Sequence, residues 1–205
     1  MGIRATSVSL LLVGAALSGC AAGADDVSAG TGATSATPAP VDELTARTFV
    51  MDTGDGAELC LGGVGESLPP SCGGPDAVGW DWAAVEDEET LSGSTWGHYE
   101  VHGTWDGTAF TLTRTPVSYD PRAASTPLPD PTPGVPADPA AIARAMEDHS
   151  SAMGTPGGPL WLGEYQGRVS VGVIHDDGTQ QAAADAEYGE DVVEIHSALR
   201  PAEGD

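Results

Sequence analysis

Six of the eighteen residues from 120 to 137 (DPRAASTPLPDPTPGVPA) are proline. Each lacks a backbone donor and has its φ fixed, so neither a helix nor an interior strand runs through such a stretch. The composition predicts a stiff, extended connector over 120–137. Whatever folds does so within 45–119 and 138–203. Units that short bury little apolar surface and lean on cross-links.

Residues 1–20 read MGIRATSVSLLLVGAALSGC, and Arg4 is the only charge before Asp25. Val8–Leu17 is an apolar run broken by Ser9 and Gly14. It is shorter than the roughly 20 residues that span a bilayer and suits a signal peptide. The run ends in Leu17-Ser18-Gly19-Cys20, which resembles the lipobox of bacterial lipoproteins. The resemblance implies that residues 1–19 are a lipoprotein signal peptide. It also implies that the Cys20 thiol carries diacylglycerol with palmitate-like chains. Localisation would then be the extracytoplasmic face of the cell membrane, lipid-anchored through Cys20. Two acyl chains anchor stably where one does not. Residues 20–44 are the lipidated Cys and a flexible linker. The stretch 21–40 is almost wholly Ala, Gly, Ser, Thr, Pro and Asp, too polar and small to order itself. As a coil it reaches roughly 25 Å.

With Cys20 so used, Cys60 and Cys72 remain. An exported chain sits where disulfides persist, so Cys60–Cys72 is the expected bridge. Closing a loop of that length contributes on the order of 3 kcal/mol. Metal sites favour the CxxC spacing, which is absent.

The predicted fold class is α+β. Over 45–119, short strands alternate with turns: Thr48–Met51, Glu58–Leu61, Val78–Trp82, Trp96–Trp105 and Thr108–Thr115. This pattern predicts a small antiparallel five-stranded β-barrel, OB-like and stapled by the bridge. Asp106-Gly107 reads as a two-residue hairpin turn, with Trp105 facing Thr108 and Val101 facing Leu112. Val101, Phe110 and Leu112 then share the core face. Over 138–203 the expected order is α-β-β-α-β. Asp138-Pro139 reads as helix cap and first residue. Ile142, Ala145, Met146 and His149 share one helical face. Strands are expected from Leu160 and over Arg168–Ile174. Thr179 is read as the cap of a second helix ending near Tyr188-Gly189, before a strand over Val192–Leu199.

Two stretches resemble a group of secreted or lipid-anchored actinobacterial proteins. One runs from Glu58-Leu59-Cys60-Leu61 through Cys72-Gly73-Gly74-Pro75 to Gly79-Trp80-Asp81-Trp82 and Trp96-Gly97-His98-Tyr99. The other is Asp176-Asp177-Gly178-Thr179-Gln180 with Tyr188-Gly189 and Ala198-Leu199-Arg200-Pro201. The resemblance implies export and a two-part build, and no activity.

Seven Arg and no Lys stand against 31 acidic residues, a net charge of −24. That excludes nucleic acid as a partner and polybasic attachment to lipid. His98, Glu100 and His102 alternate along one strand, so they project from one face about 6–7 Å apart. Two imidazoles and a carboxylate suit Zn, Cu or Fe; the plainer reading is the solvent face of a hairpin. Trp80 and Trp82 share a face by the same period and suit stacking on sugar rings; the plainer reading is core. There is no GxSxG, HExxH, GxGxxG or P-loop, and no cofactor is implied. The reading is a lipid-anchored binding or interaction protein of the cell envelope, its partner an envelope protein or polymer. The alternative is a metal-dependent or carboxylate hydrolase acting on envelope polymers through His98, Glu100 and His102.

Overall fold

The structure, a computed structural model, describes residues 43–123 and 137–202. Cys20, the segment before it, the linker to residue 42 and residues 124–136 lie outside the described residues. The fold is α+β. Before the proline-rich stretch come β1 (Leu44–Asp52), β2 (Ala57–Cys60), β3 (Ala77–Val78), β4 (Glu89–Leu91), β5 (Ser94–Trp105), β6 (Phe110–Leu112) and β7 (Val117–Ser118). After it come α1 (Pro139–Ala152), β8 (Trp161–Tyr165), β9 (Arg168–Val173), α2 (Thr179–Tyr188), β10 (Val193–Ser197) and β11 (Arg200–Pro201).

Alternation of inward and outward side chains gives the long strands β1 and β5 one face toward the core. They pair antiparallel without a break, from Leu44 opposite Gly103 to Asp52 opposite Thr95. β2 extends from β1, β6 from β5, and β3 runs parallel to β6. Glu58 bridges to Asp76, and Leu59 N–H donates to the Pro75 carbonyl at 3.0 Å. These contacts bring β2 beside β3, so the sheet is nearly closed into a barrel in the order β1-β2-β3-β6-β5. Gly74 makes the approach possible, since a Cβ there would sit 1.8 Å from the Leu59 carbonyl oxygen. The short strands β4, β7 and β11 add to β5, β5 and β1, giving eight strands in the sheet. Leu44, Val50, Leu59, Tyr99, Val101 and Phe110 fill the inside.

The hairpin register differs from expectation. Trp105 faces Phe110, and Gly103 faces Leu112. The Asp106 carboxylate accepts from the N–H groups of Thr108 and Ala109, both at 2.8 Å, which lengthens the loop to Asp106–Ala109. The slip is two residues, so every side chain keeps its face. Phe110 remains core and its ring lies over Gly103, where a Cβ would stand 2.7 Å from the ring. The strand expected over Val78–Trp82 stops at Val78. Trp82–Ala84 is a 3-10 turn instead, because the Asp81 side chain accepts from Ala83 N–H at 2.9 Å. An aspartate that bonds its local backbone competes with a strand ladder. Glu89 opens β4, which turns into β5 through Ser92-Gly93, both at positive φ.

The second sheet has the order β10-β9-β8, with β8 and β9 antiparallel and β9 and β10 parallel across α2. Ile142 and Ala145 of α1 and Ala184 of α2 pack on Val169, Val171 and Val173. Asp138 caps α1, accepting from Ala140 N–H at 3.3 Å. Thr179 is not the cap of α2 but its first residue. Asp176 accepts from the N–H groups of Gln180 and Gln181, and Asp177 from that of Thr179.

The final strand stops at Ser197 rather than Leu199. Leu199 N–H donates to the Ile174 carbonyl at 2.9 Å, and its fully buried side chain lies in the barrel core. β11 then pairs with the start of β1, Arg200 opposite Thr45. Cys60 and Cys72 form the disulfide, with Cα atoms 5.6 Å apart. Cys60 packs with Met51 and Trp96 in a small buried cluster. Among the described residues no helix is long and apolar enough to cross a membrane.

A Leu199→Ala variant removes a filled position of the barrel from beyond the second sheet. Its urea unfolding, followed by Trp fluorescence, is expected to show a loss of about 3 kcal/mol. An unchanged midpoint would show that the barrel core does not depend on this residue.

Candidate functional site

The alternation that buries one face of β1 and β5 puts the remaining side chains in an outer stripe. Met51 lies opposite Trp96, Phe49 opposite His98, Arg47 opposite Glu100, and Thr45 opposite His102. The stripe changes character along its length. At the Met51 and Trp96 end it is apolar and joined by the Cys60–Cys72 bridge. In the middle, the His98 ring meets Phe49 and Tyr119 edge-on, at 5.0 and 5.7 Å between centroids. Burial against these rings lowers the His98 pKa, the Asp120 charge opposing it.

The far end is polar. Arg47 Nε–H donates to Glu100 Oε2 at 2.7 Å, and the guanidinium lies 5.7 Å from the centre of the Tyr119 ring. His102 Nε2 is 3.3 Å from Glu100 Oε1. The hydrogen bond from Arg47 is the largest influence on Glu100; with the His102 contact it outweighs burial and holds the carboxyl below the usual range. Thr113, just past β6, donates its hydroxyl to Glu43 Oε1 at 2.5 Å. Arg114 donates to both oxygens of the same carboxylate, at 3.2 and 2.6 Å. The Thr113 bond first, then Arg114, lower the Glu43 pKa. Arg200 joins from β11, on the same face as its partner Thr45. Thr45, Arg47, Glu100, His102, Arg114 and Arg200 line a groove of about 590 Å³.

Thus the period-two reading of His98, Glu100 and His102 holds for their shared face, and their neighbours then divide them. Glu100 and His102 meet in one hydrogen bond, while His98 is enclosed by aromatic rings. Among the described residues no three His, Cys, Asp or Glu side chains gather into a group able to hold a metal ion. The arginines of the groove were not visible as a site in the sequence. They come from β1, the segment after β6, and β11, and no local spacing links them. The available signal was scarcity: the groove takes three of the six arginines among the described residues.

Trp80 and Trp82 pack against the barrel core instead. Their rings pack edge-on against each other at 5.0 Å, and against Tyr99 at 5.0 and 6.1 Å. Both are half-buried against the barrel core. Trp82 Nε1–H donates to Asp52 Oδ2 at 3.1 Å. Burial raises the Asp52 pKa, but the bonds from Gly54, Trp82 and Gly56 together bring it below the ordinary value. Tyr99 is fully buried and donates to the Glu86 carbonyl at 3.1 Å. Burial, then the charges of Glu88 and Asp87, push its phenol up to about 12. A smaller apolar cavity of about 270 Å³ lies in the α+β part, lined by His149, Val171, Val173 and Tyr188 among others.

No protein-family model, curated protein or solved structure matches this chain.

These shifts set a stability plateau with two edges. Glu100 has a depressed pKa in the folded state, so its contribution is present above the ordinary carboxylate value of about 4.3 and is lost as the pH falls. Tyr99 has a raised pKa, so its contribution is full below 10 and is lost as the pH rises toward 12. Across that alkaline window the Tyr99 share is about 3 kcal/mol, at 1.36 kcal/mol per pKa unit. Urea midpoints are expected to be flat between about pH 7 and 9 and to fall on both sides, the acid fall starting near 6.5 because burial holds the His98 imidazole neutral. A Tyr99→Phe variant should lose less between pH 10 and 12 than the unsubstituted protein; equal losses would rule out the Tyr99 contribution.

Proposed function

We propose that this chain is a lipid-anchored, extracytoplasmic binding protein of the cell envelope, held at the cell membrane through Cys20. Its head binds an envelope protein or polymer through the polar groove on the outer face of the barrel. The observation that carries this reading is the gathering of Arg47, Arg114 and Arg200 around one groove in a chain of net charge −24. Arginine is the residue suited to fixed, directional recognition of oxygen-rich groups.

The barrel is read as OB-like. Five of its strands follow the order β1-β2-β3-β6-β5, and the one parallel pair, β3 with β6, supports that reading. A short helical turn at Trp82–Ala84 beneath the core fits the same topology. The lipobox-like Leu17-Ser18-Gly19-Cys20 supports the anchor. The motifs quoted above support membership of the actinobacterial group of secreted or lipid-anchored proteins.

The anchor is tested by expressing the full chain in a bacterium fed labelled palmitate. The unsubstituted protein should take up label and sediment with membranes. Cys20→Ala should do neither; a Cys20→Ala protein that stays with the membranes would remove the lipid reading.

The hydrogen bond between Glu100 and His102 favours a second reading, a hydrolase acting on envelope polymers through that carboxylate–imidazole pair. Release of soluble fragments from labelled cell walls, lost in Glu100→Gln, would support it. Release no faster than with His102→Ala would dismiss it.

A further inference from the structure

We propose that the outward face of the second sheet binds a neutral glycan, with Trp161 stacked on the C–H face of a sugar ring. This surface is separate from the polar groove, and the inference does not depend on what the groove holds.

Period two divides the sheet into two faces. Val169, Val171 and Val173 pack with α1 and α2 on one of them. The other carries cross-strand rows. Trp161 lies opposite Gly172, and Gly172 opposite His196. Gly163, Ser170 and Glu194 form the next row, and Tyr165 with Arg168 the last. Trp161 is 41% exposed and Tyr165 57%, so two large rings stand in water on this face.

The indole is fixed before any ligand arrives. A Cβ on Gly172 would stand 2.0, 2.2 and 2.4 Å from Trp161 Nε1, Cε2 and Cδ1. Three near-equal distances put the face of the five-membered ring, not its edge, on the glycine. His196 flanks the indole, with centroids 5.4 Å apart and planes 26° from parallel. A ring already held in place loses little freedom when a ligand stacks on it.

The ligand class follows from shape and charge. The face of an aromatic ring is negative and attracts weakly positive C–H groups. A single flat ring bordered by Gly163 and Ser170 suits a flat sugar, whereas cations are held by several rings arranged as a cage. Hydroxyls at the sugar's rim meet the Ser170 hydroxyl, the Glu194 carboxylate and Trp161 Nε1–H, which donates to no described residue. Tyr165 is four residues from Trp161 on the same face, about 13 Å at 3.3 Å per residue. A ligand touching both rings is therefore an oligosaccharide. Arg168 sits 3.2 Å from Asp191, and Glu194, 3.8 Å from His196, adds negative charge. A uronate or phosphate polymer would meet that carboxylate on a chain of net charge −24, and a neutral glycan escapes the repulsion.

The test uses the chain from residue 20 onward with Cys20→Ser, labelled with nitrogen-15 so that its five indole N–H signals are followed by NMR. The Trp161 signal is the one lost in Trp161→Ala. Cellotetraose offers plain hydroxyls and chitotetraose N-acetyl groups, each titrated at constant ionic strength. At least one should shift the Trp161 signal saturably, with Kd of about 0.1–1 mM. The signal of Trp96, buried in the barrel, should stay still. The tighter probe identifies which sugar substituent the face prefers. Trp161→Ala should weaken binding about tenfold, followed by saturation transfer to the sugar, while Trp161→Tyr keeps most of it. Gly172→Ala keeps the indole but displaces it, and should weaken binding as well. The β-linked glucuronate tetramer should bind about tenfold more weakly than cellotetraose. No saturable shift with either tetrasaccharide, undiminished binding by Trp161→Ala or Gly172→Ala, or equal binding of the glucuronate tetramer would each overturn the proposal. So would tetramethylammonium shifting Trp161 where the sugars do not, or shifts that follow protein concentration alone, the mark of a second copy on this face.

Discussion

The unbroken pairing of Leu44–Asp52 with Thr95–Gly103 joins two strands far apart in sequence. Closing that separation costs chain entropy, and a run of ladder hydrogen bonds and cross-strand contacts offsets it. β2 and β11 attach to the first of these strands, and β4, β6 and β7 to the second. One alternation serves two purposes. Leu44, Ala46, Val50, Tyr99 and Val101 face inward as core, while Thr45, Arg47, Phe49, His98, Glu100 and His102 face outward as the stripe. A single-residue slip in this pairing would exchange core for surface along the whole ladder. The position of the groove and the stability of the barrel therefore depend on the same register.

What could be read from the residues is what local physics decides. The period of two put Val101 and Phe110 inside and His98, Glu100 and His102 outside. The Asp138-Pro139 start of α1 and the Gly189 end of α2 follow from capping chemistry. The Cys60–Cys72 pair followed from having no other partner. Even the error in the hairpin was bounded. Asp106 drew two extra residues into the loop through its carboxylate, and a slip of two preserves the faces.

What could not be read is what distant pairing decides. Two-residue strands such as β3, β7 and β11 carry no periodicity, so only their partners define them. Trp82 looked like a strand residue by alternation with Trp80, but Asp81 between them bonds its own backbone and starts a 3-10 turn. Leu199 read as the end of a strand in the α+β part, and it is core of the barrel instead. The groove is the extreme case. Arg47, Arg114 and Arg200 span most of the folded chain, and only the sheet makes neighbours of them.

The outer stripe also explains why the groove lies where it does. At one end, Met51 and Trp96 are buried together with Cys60, and Cys72 packs on them through the disulfide. In the middle, Phe49 and Tyr119 close over His98, and its imidazole is held toward the neutral form. Toward β11 nothing among the described residues closes over the face, and the side chains there are arginine, glutamate, threonine and histidine. Each Arg–Glu pair is partly exposed and adds little to stability by itself. The better account of these pairs is orientation. A carboxylate on one side of a guanidinium fixes the direction of its other N–H groups.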